Sequence, residues 1–208
     1  MLNQARFANA MAAAGVLAFA FIASPSVSAR NAPAVQPNAA MDSAVMRTLK
    51  TCRWASDNCR TAINHAWAAL VFPVLHKADL GAGGAGVNGA MVEDGRVTGY
   101  YTLAGGSAVP PPNIDGTGAV FVFEREGAVT QLKSGEAWNA GAAPNVRLIT
   151  ENTGDVSPTA NVEAFIFDRS GLHNGISLRD FDVRKTGAPP QANLAAISEP
   201  GITGRNLF

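Results

Sequence analysis

Residues 80–101 read LGAGGAGVNGAMVEDGRVTGYY, and how this stretch is understood decides the fold. Gly81, Gly83 and Gly86 have the G-x-G-x-x-G spacing of a dinucleotide-binding turn. Such a turn works only between a strand and a helix, because the pyrophosphate rests on the amide hydrogens of the helix N-terminus. Here the glycines are followed by VNGAMVEDGRVTGYY, which has a further glycine, a D-G turn and β-formers but no helical stripe. LAGGSAVPPP occupies the place of the acidic ribose partner expected about 20 residues on. No Gly-Lys-Ser or Gly-Lys-Thr follows to make a P-loop. The stretch therefore predicts no nucleotide and no cofactor. It predicts a glycine-rich strand and bend, with Gly81, Gly83, Gly84, Gly86 and Gly89 as structural glycines beside which other backbone can pass closely. A β-branched residue at Gly83 is then expected to cost folding, not cofactor affinity.

Outward from this stretch the chain is a series of short apolar runs: ALVFPVL, GAVFVF, NVRLIT, VEAFIF and GISLRDFDVRK. They are rich in Val, Ile and Phe and bounded by turn residues, as strands are. Glu93-Asp94-Gly95-Arg96 carries the D-G signature of a tight hairpin. The spacing leaves no room for crossover helices, so the strands should be mostly antiparallel. Upstream, Met41, Val45 and Leu49 recur at four-residue intervals on a helix that Asp42 or Ser43 can cap. A second helix is predicted from about Asn58 to Ala68, with Ile63, Ala66, Trp67 and Leu70 at helical spacing. The expected fold is α+β: N-terminal helices packed on a glycine-rich, mostly antiparallel curled sheet, sandwich-like or barrel-like.

A length of 208 residues suits one domain with appendages. Apolar residues make up 47% and charged residues 15%, which predicts a folded core. The formal net charge of zero gives no electrostatic case for nucleic acid as a partner. Residues 1–29 have an early Arg6, an apolar run from about Ala10 to Ala23, and Val27 and Ala29 before the break. That order is a secretory signal, and its apolar run falls short of the roughly 20 residues needed to span a bilayer. Residues 30–40 are a Pro- and Ala-rich linker, 41–185 the domain, and 186–208 a loosely ordered tail. The protein is expected outside the cytoplasm, in a periplasm or cell envelope, or secreted.

Export makes a disulfide between Cys52 and Cys59 the first expectation, with two free buried thiols on one helix as the alternative. Seven helical steps would separate the pair by about 10.5 Å, beyond the roughly 7 Å a disulfide spans. A bridge therefore requires the helix to break between them, and Ala55–Asn58 is a reasonable place for the break.

ALVFPVLHKADLGAGGAGVNGAMVEDGRVTGYYTLAGGS resembles the SYLF domain family, with its LVFP, a lysine before the glycine-rich run, and GYY followed by a GGS-like turn. VEAFIFDRSGLHNGISLRDFDVRK is similar to the closing pattern of that family, and the resemblance runs from about Met41 to Lys185. It implies helices on a β-rich body and a non-catalytic module that binds lipid or a membrane surface; some yeast members bind actin. Ala108-Val109-Pro110-Pro111-Pro112 interrupts the pattern after GGS, and the CRWASDNC insert is a second departure.

Lipid binding needs cations near anionic headgroups and apolar or aromatic groups that enter the interface. Arg47, Lys50, Arg53 and Arg60 with Trp54 supply these from the helices, and Lys77 matches the family lysine. Anionic phospholipid is the expected partner, with an envelope protein–protein interaction as the alternative. His65, His76 and His173 have no metal-ligand spacing, so no metal is expected. Ser107 lacks the second glycine of a nucleophile elbow. Asp180 and Asp182 would share a strand face, where pairing with Arg179 and Arg184 is the simpler reading than acid–base work.

Overall fold

The computed structural model describes residues 38–105, 110–135, 137–140, 146–151, 161–174, 176 and 181–186, all within one compact unit, Val35–Phe208. The predicted signal segment, most of the predicted linker, nearly all of the predicted tail, Ser107, Arg179 and Asp180 lie outside the described residues.

Helix α1 spans Ala39–Ala55 and buries Met41, Val45 and Leu49, the stripe legible in the sequence. Its cap is neither Asp42 nor Ser43. The Asn38 side chain accepts from the Met41 amide at 3.1 Å, which starts the helix earlier and takes residues 39 and 40 from the predicted linker. Asp42 bonds to the sheet instead. Its carboxylate accepts from the Tyr100 hydroxyl at 2.7 Å, and the Tyr100 oxygen in turn accepts from the Asn38 amide at 2.7 Å. The start of α1 is thereby tied to the sheet.

Ser56 is extended and ends α1, and its hydroxyl accepts from the Cys59 amide at 3.5 Å to cap α2, Asp57–His65. The break brings the Cα atoms of Cys52 and Cys59 to 5.9 Å, where the disulfide forms. Such a bridge fits an oxidising compartment. Helix α2 stops at His65, short of the predicted Ala68, because the Trp67 amide donates to the Phe123 carbonyl at 2.9 Å and the sheet takes over.

Strand β1 follows at Ala68–Phe72, then the short helix α3 at Lys77–Leu80. Strands β2, Val87–Glu93, and β3, Arg96–Gly105, form the expected hairpin. Its two turn residues, Asp94 and Gly95, have φ of 48° and 72°, the left-handed pair that a two-residue hairpin turn requires. Next come β4 (Gly118–Phe123), α4 (Glu126–Lys133), β5 (Trp138–Asn139), β6 (Val146–Ile149), β7 (Val162–Asp168), β8 (Gly171–Leu172) and β9 (Phe181–Thr186).

The strands form one nine-stranded sheet in the order β5-β9-β3-β2-β1-β4-β7-β6, with β8 paired to β7. All described pairings are antiparallel except β6 with β7. The sheet curls. β5 stands five places from β4 in strand order, about 24 Å in a flat sheet, yet the Trp138 ring lies 5.7 Å from that of Phe121.

Side chains alternate between two cores. Leu70, Phe72, Phe121 and Phe123 join Leu103, Leu80 and Leu132 on the inner face. Ala69, Val71, Val120 and Val122 lie on the other face with Val45, Cys52 and Cys59 of the helices. Burial on both sides explains why AALVF and GAVFVF read as unbroken apolar runs.

The glycine-rich stretch needs one correction. Residues 81–86 form a loop between α3 and β2, and among the singled-out glycines only Gly89 lies in a strand. A Cβ there would collide with the Val71 carbonyl and the Phe72 ring, whereas Gly83, at φ 77°, faces open space. Gly83 serves a turn; Gly89 serves packing.

Candidate functional site

On α1, positions 46, 50 and 53 project to one side of the helix by their three- and four-residue spacing. Met46, Lys50 and Arg53 line one bank of a groove of about 480 Å³. Ile63, Ala66 and Trp67, at the junction of α2 with β1, form the second bank, and Asp94 and Gly95 of the hairpin close the third side. The floor is Leu49, Ala69 and Val92, all buried members of the helix-covered core.

Large apolar groups stand out of this face. Trp54 is 81% exposed, Trp67 57% and Met46 43%. Helical spacing assigns Trp67 to the apolar stripe of α2; the early end of that helix turns it outward instead. The signal for this is its place directly before the strand run AALVF, where a residue joins sheet geometry and not helix geometry.

Lys50 and Arg53 thus meet at the groove, with Arg47 and Trp54 on the same exposed side of α1. No ion pair engages Arg47, Lys50 or Arg53 among the described residues; the described salt bridges lie elsewhere. Arg60 is committed to Asp57 at 2.6 Å in an exposed pair three residues apart on α2. Lys77 does not join the group. It does not line the groove, and α3 lies against the end of β3 away from the hairpin turn, where a Cβ at Gly105 would meet the Leu80 carbonyl. The Lys77 amide donates to the Asp115 carboxylate at 2.6 Å.

A second polar cluster sits at the turn between β7 and β8. Asp168 accepts from the Ser170 amide at 2.6 Å and from its hydroxyl at 2.5 Å, and its other oxygen lies 2.8 Å from His173 Nε2. The bonds from Ser170, then the one with His173, hold the Asp168 carboxyl down at about 2. Ser, His and Asp are all present, but the carboxylate is in the middle. A serine nucleophile must be hydrogen-bonded to the histidine that takes its proton, whereas here the Ser170 hydroxyl donates its hydrogen bond to Asp168. The cluster clasps a turn. Asp182, considered for acid–base work, accepts from Asn139 at 3.1 Å.

One buried carboxylate lies under the helix-covered face. Glu163 on β7 is fully buried and pairs with Arg147 of β6 at 2.8 Å. Burial pushes its carboxyl above the usual range despite the Arg147 hydrogen bond, and the nearby Glu124 adds to the rise.

Among the described residues no helix is long and apolar enough to cross a membrane, and no group of three His, Cys, Asp or Glu residues is placed to hold a metal ion. Compared with known proteins, the chain matches no family model and no curated protein.

Proposed function

We propose that this chain is a non-catalytic, SYLF-like lipid-binding protein of the bacterial cell envelope, held at anionic phospholipid surfaces by the outward side of α1. The observation that carries the reading is the pairing of Arg47, Lys50 and Arg53, without carboxylate partners among the described residues, with the exposed Trp54 and Trp67. Each cation near an anionic leaflet contributes about 1 kcal/mol, and the amphipathic indole rings favour the interface. Three cations and two indoles suit reversible attachment, in line with the one-or-two-signal logic of peripheral proteins. The disulfide and the export signal support a location in a periplasm or at the envelope.

Co-sedimentation with vesicles tests the reading. Phosphatidylglycerol vesicles should retain the protein and phosphatidylcholine vesicles should not, with retention falling as salt rises. Arg47→Glu/Lys50→Glu should weaken binding by at least about 30-fold, the equivalent of two lost cation contributions. Equal retention on neutral vesicles overturns the reading and leaves protein–protein contact in the envelope as the use of this face.

A further inference from the structure

We infer that the groove between α1 and the β2–β3 hairpin binds one molecule of a long-chain fatty acid, with its chain along the apolar floor and its carboxylate on Lys50 and Arg53. This deepens, and rests on, the reading of the face as one that meets anionic lipid. Three features select this occupant. The groove, at about 480 Å³, falls in the lower half of the roughly 300–1,000 Å³ range of small-molecule sites, which suits one chain better than two. Its floor of Leu49, Ala69 and Val92 and its Ile63 and Trp67 bank offer the chain apolar contact. Its charge is lopsided: Lys50 and Arg53 stand on the α1 bank, and Asp94, exposed in the hairpin turn, is the one carboxylate in the lining among the described residues. An anion at the α1 bank is favoured there, and a cation of the same length is opposed.

Ala66 is the lever for testing this. It is the residue capping the end of α2, partly buried, and it lines the groove without being part of the cationic side. Calorimetric titration of the purified chain with octanoate, decanoate and dodecanoate, each below its micelle concentration, should give saturable one-to-one binding. Affinity should rise by up to about fourfold per methylene. Decyltrimethylammonium should bind at least about tenfold more weakly than decanoate, and Lys50→Ala/Arg53→Ala should erase that difference. Ala66→Phe should weaken decanoate by at least about tenfold while retention on phosphatidylglycerol vesicles stays within about twofold.

Vesicle retention without saturable decanoate binding overturns the groove and spares the surface reading. Decanoate binding without vesicle retention upholds the groove and removes that reading. Equal affinity for the cationic amphiphile, or an Ala66→Phe protein with native melting that still binds decanoate at full strength, also overturns the groove. Because Lys50 and Arg53 are exposed, their double variant keeps the test decisive should Ala66→Phe fail to fold.

Discussion

On the inner face of the sheet Phe72, Phe121, Phe123 and Trp138 pack ring against ring. On the opposite face, under α1 and α2, the central strands β1, β2 and β4 offer Ala69, Val71, Ala90 and Val120, and rings enter only from the flanking strands, as Tyr100, Phe165 and Phe167. The difference follows from what fills each space. A sheet curling upon itself has few other elements to occupy its concavity, so large rings must do so. Where the helices roof the central strands, small side chains suffice, because the helices bring the volume. The curled face is filled by its own rings, with Leu80, Val129 and Leu132 of the short helices closing it. The roof of the other covers only part of it and leaves a groove where α1, Trp67 and the hairpin turn fail to meet.

The largest expected effect lies on the sealed face. Phe121→Ala removes a ring that is in edge contact with both Phe72 and Trp138, and should cost about 3–5 kcal/mol in urea unfolding. A loss under about 1 kcal/mol would mean that this face is less tightly filled than its geometry implies.

Tyr101 probes the same face by pH. Burial first, and the Glu93 carboxylate second, push its phenol up to about 12. An unfolded tyrosine ionises near 10. The folded state therefore keeps its proton longer than the unfolded state, so this stability is complete below about pH 10 and declines as pH rises towards 12. The loss should total roughly 3 kcal/mol. Denaturant curves between pH 9 and 12 should show the decline, and Tyr101→Phe should flatten it.

The helix-covered face responds to its staple. Replacing Cys52 and Cys59 by alanine opens a loop whose closure contributes about 2.5 kcal/mol. Thermal melting should register that loss. Hydrogen exchange should quicken in α2 and the last turn of α1 while β4 stays protected, which would separate the two faces directly.

The glycines give the smallest contrast. Gly83→Val, at φ 77° in open space, should cost about 1–2 kcal/mol of backbone strain. Gly89→Val, against the Val71 carbonyl and the Phe72 ring, should cost more. Equal costs in a melting comparison would erase the distinction between turn and packing glycines.

Much of the fold was legible because burial on two sides writes strands as continuous apolar runs, and because Asp94-Gly95 fits only a tight turn. The disulfide was legible from the export signal, and helix geometry added that Cys52 and Cys59 cannot meet unless the chain breaks between them, which it does at Ser56. Helix α4 was not. EGAVTQLK holds a glycine and the β-branched Val129 and Thr130, so its helicity comes from docking Val129 and Leu132 into the core. The Asn38 cap was hidden because Asp42 and Ser43 are equally good capping types, and only the Tyr100 hydroxyl decides what Asp42 does. The cations of the candidate site could be named from sequence, but the groove could not. It exists only where three segments distant along the chain converge, and its Trp67 bank depends on the end of α2.

The position of β9 has a consequence for synthesis. It is the last strand along the described chain, yet it lies inside the sheet, between β5 and β3, pairing along β3 from Tyr100 to Gly105. Until Phe181–Thr186 have been made, that side of β3 is an open edge with nothing to pair against, the template on which chains aggregate. The domain cannot be completed as it emerges from its N-terminus. A truncation anywhere before residue 181 should yield an aggregating fragment, not a smaller working protein.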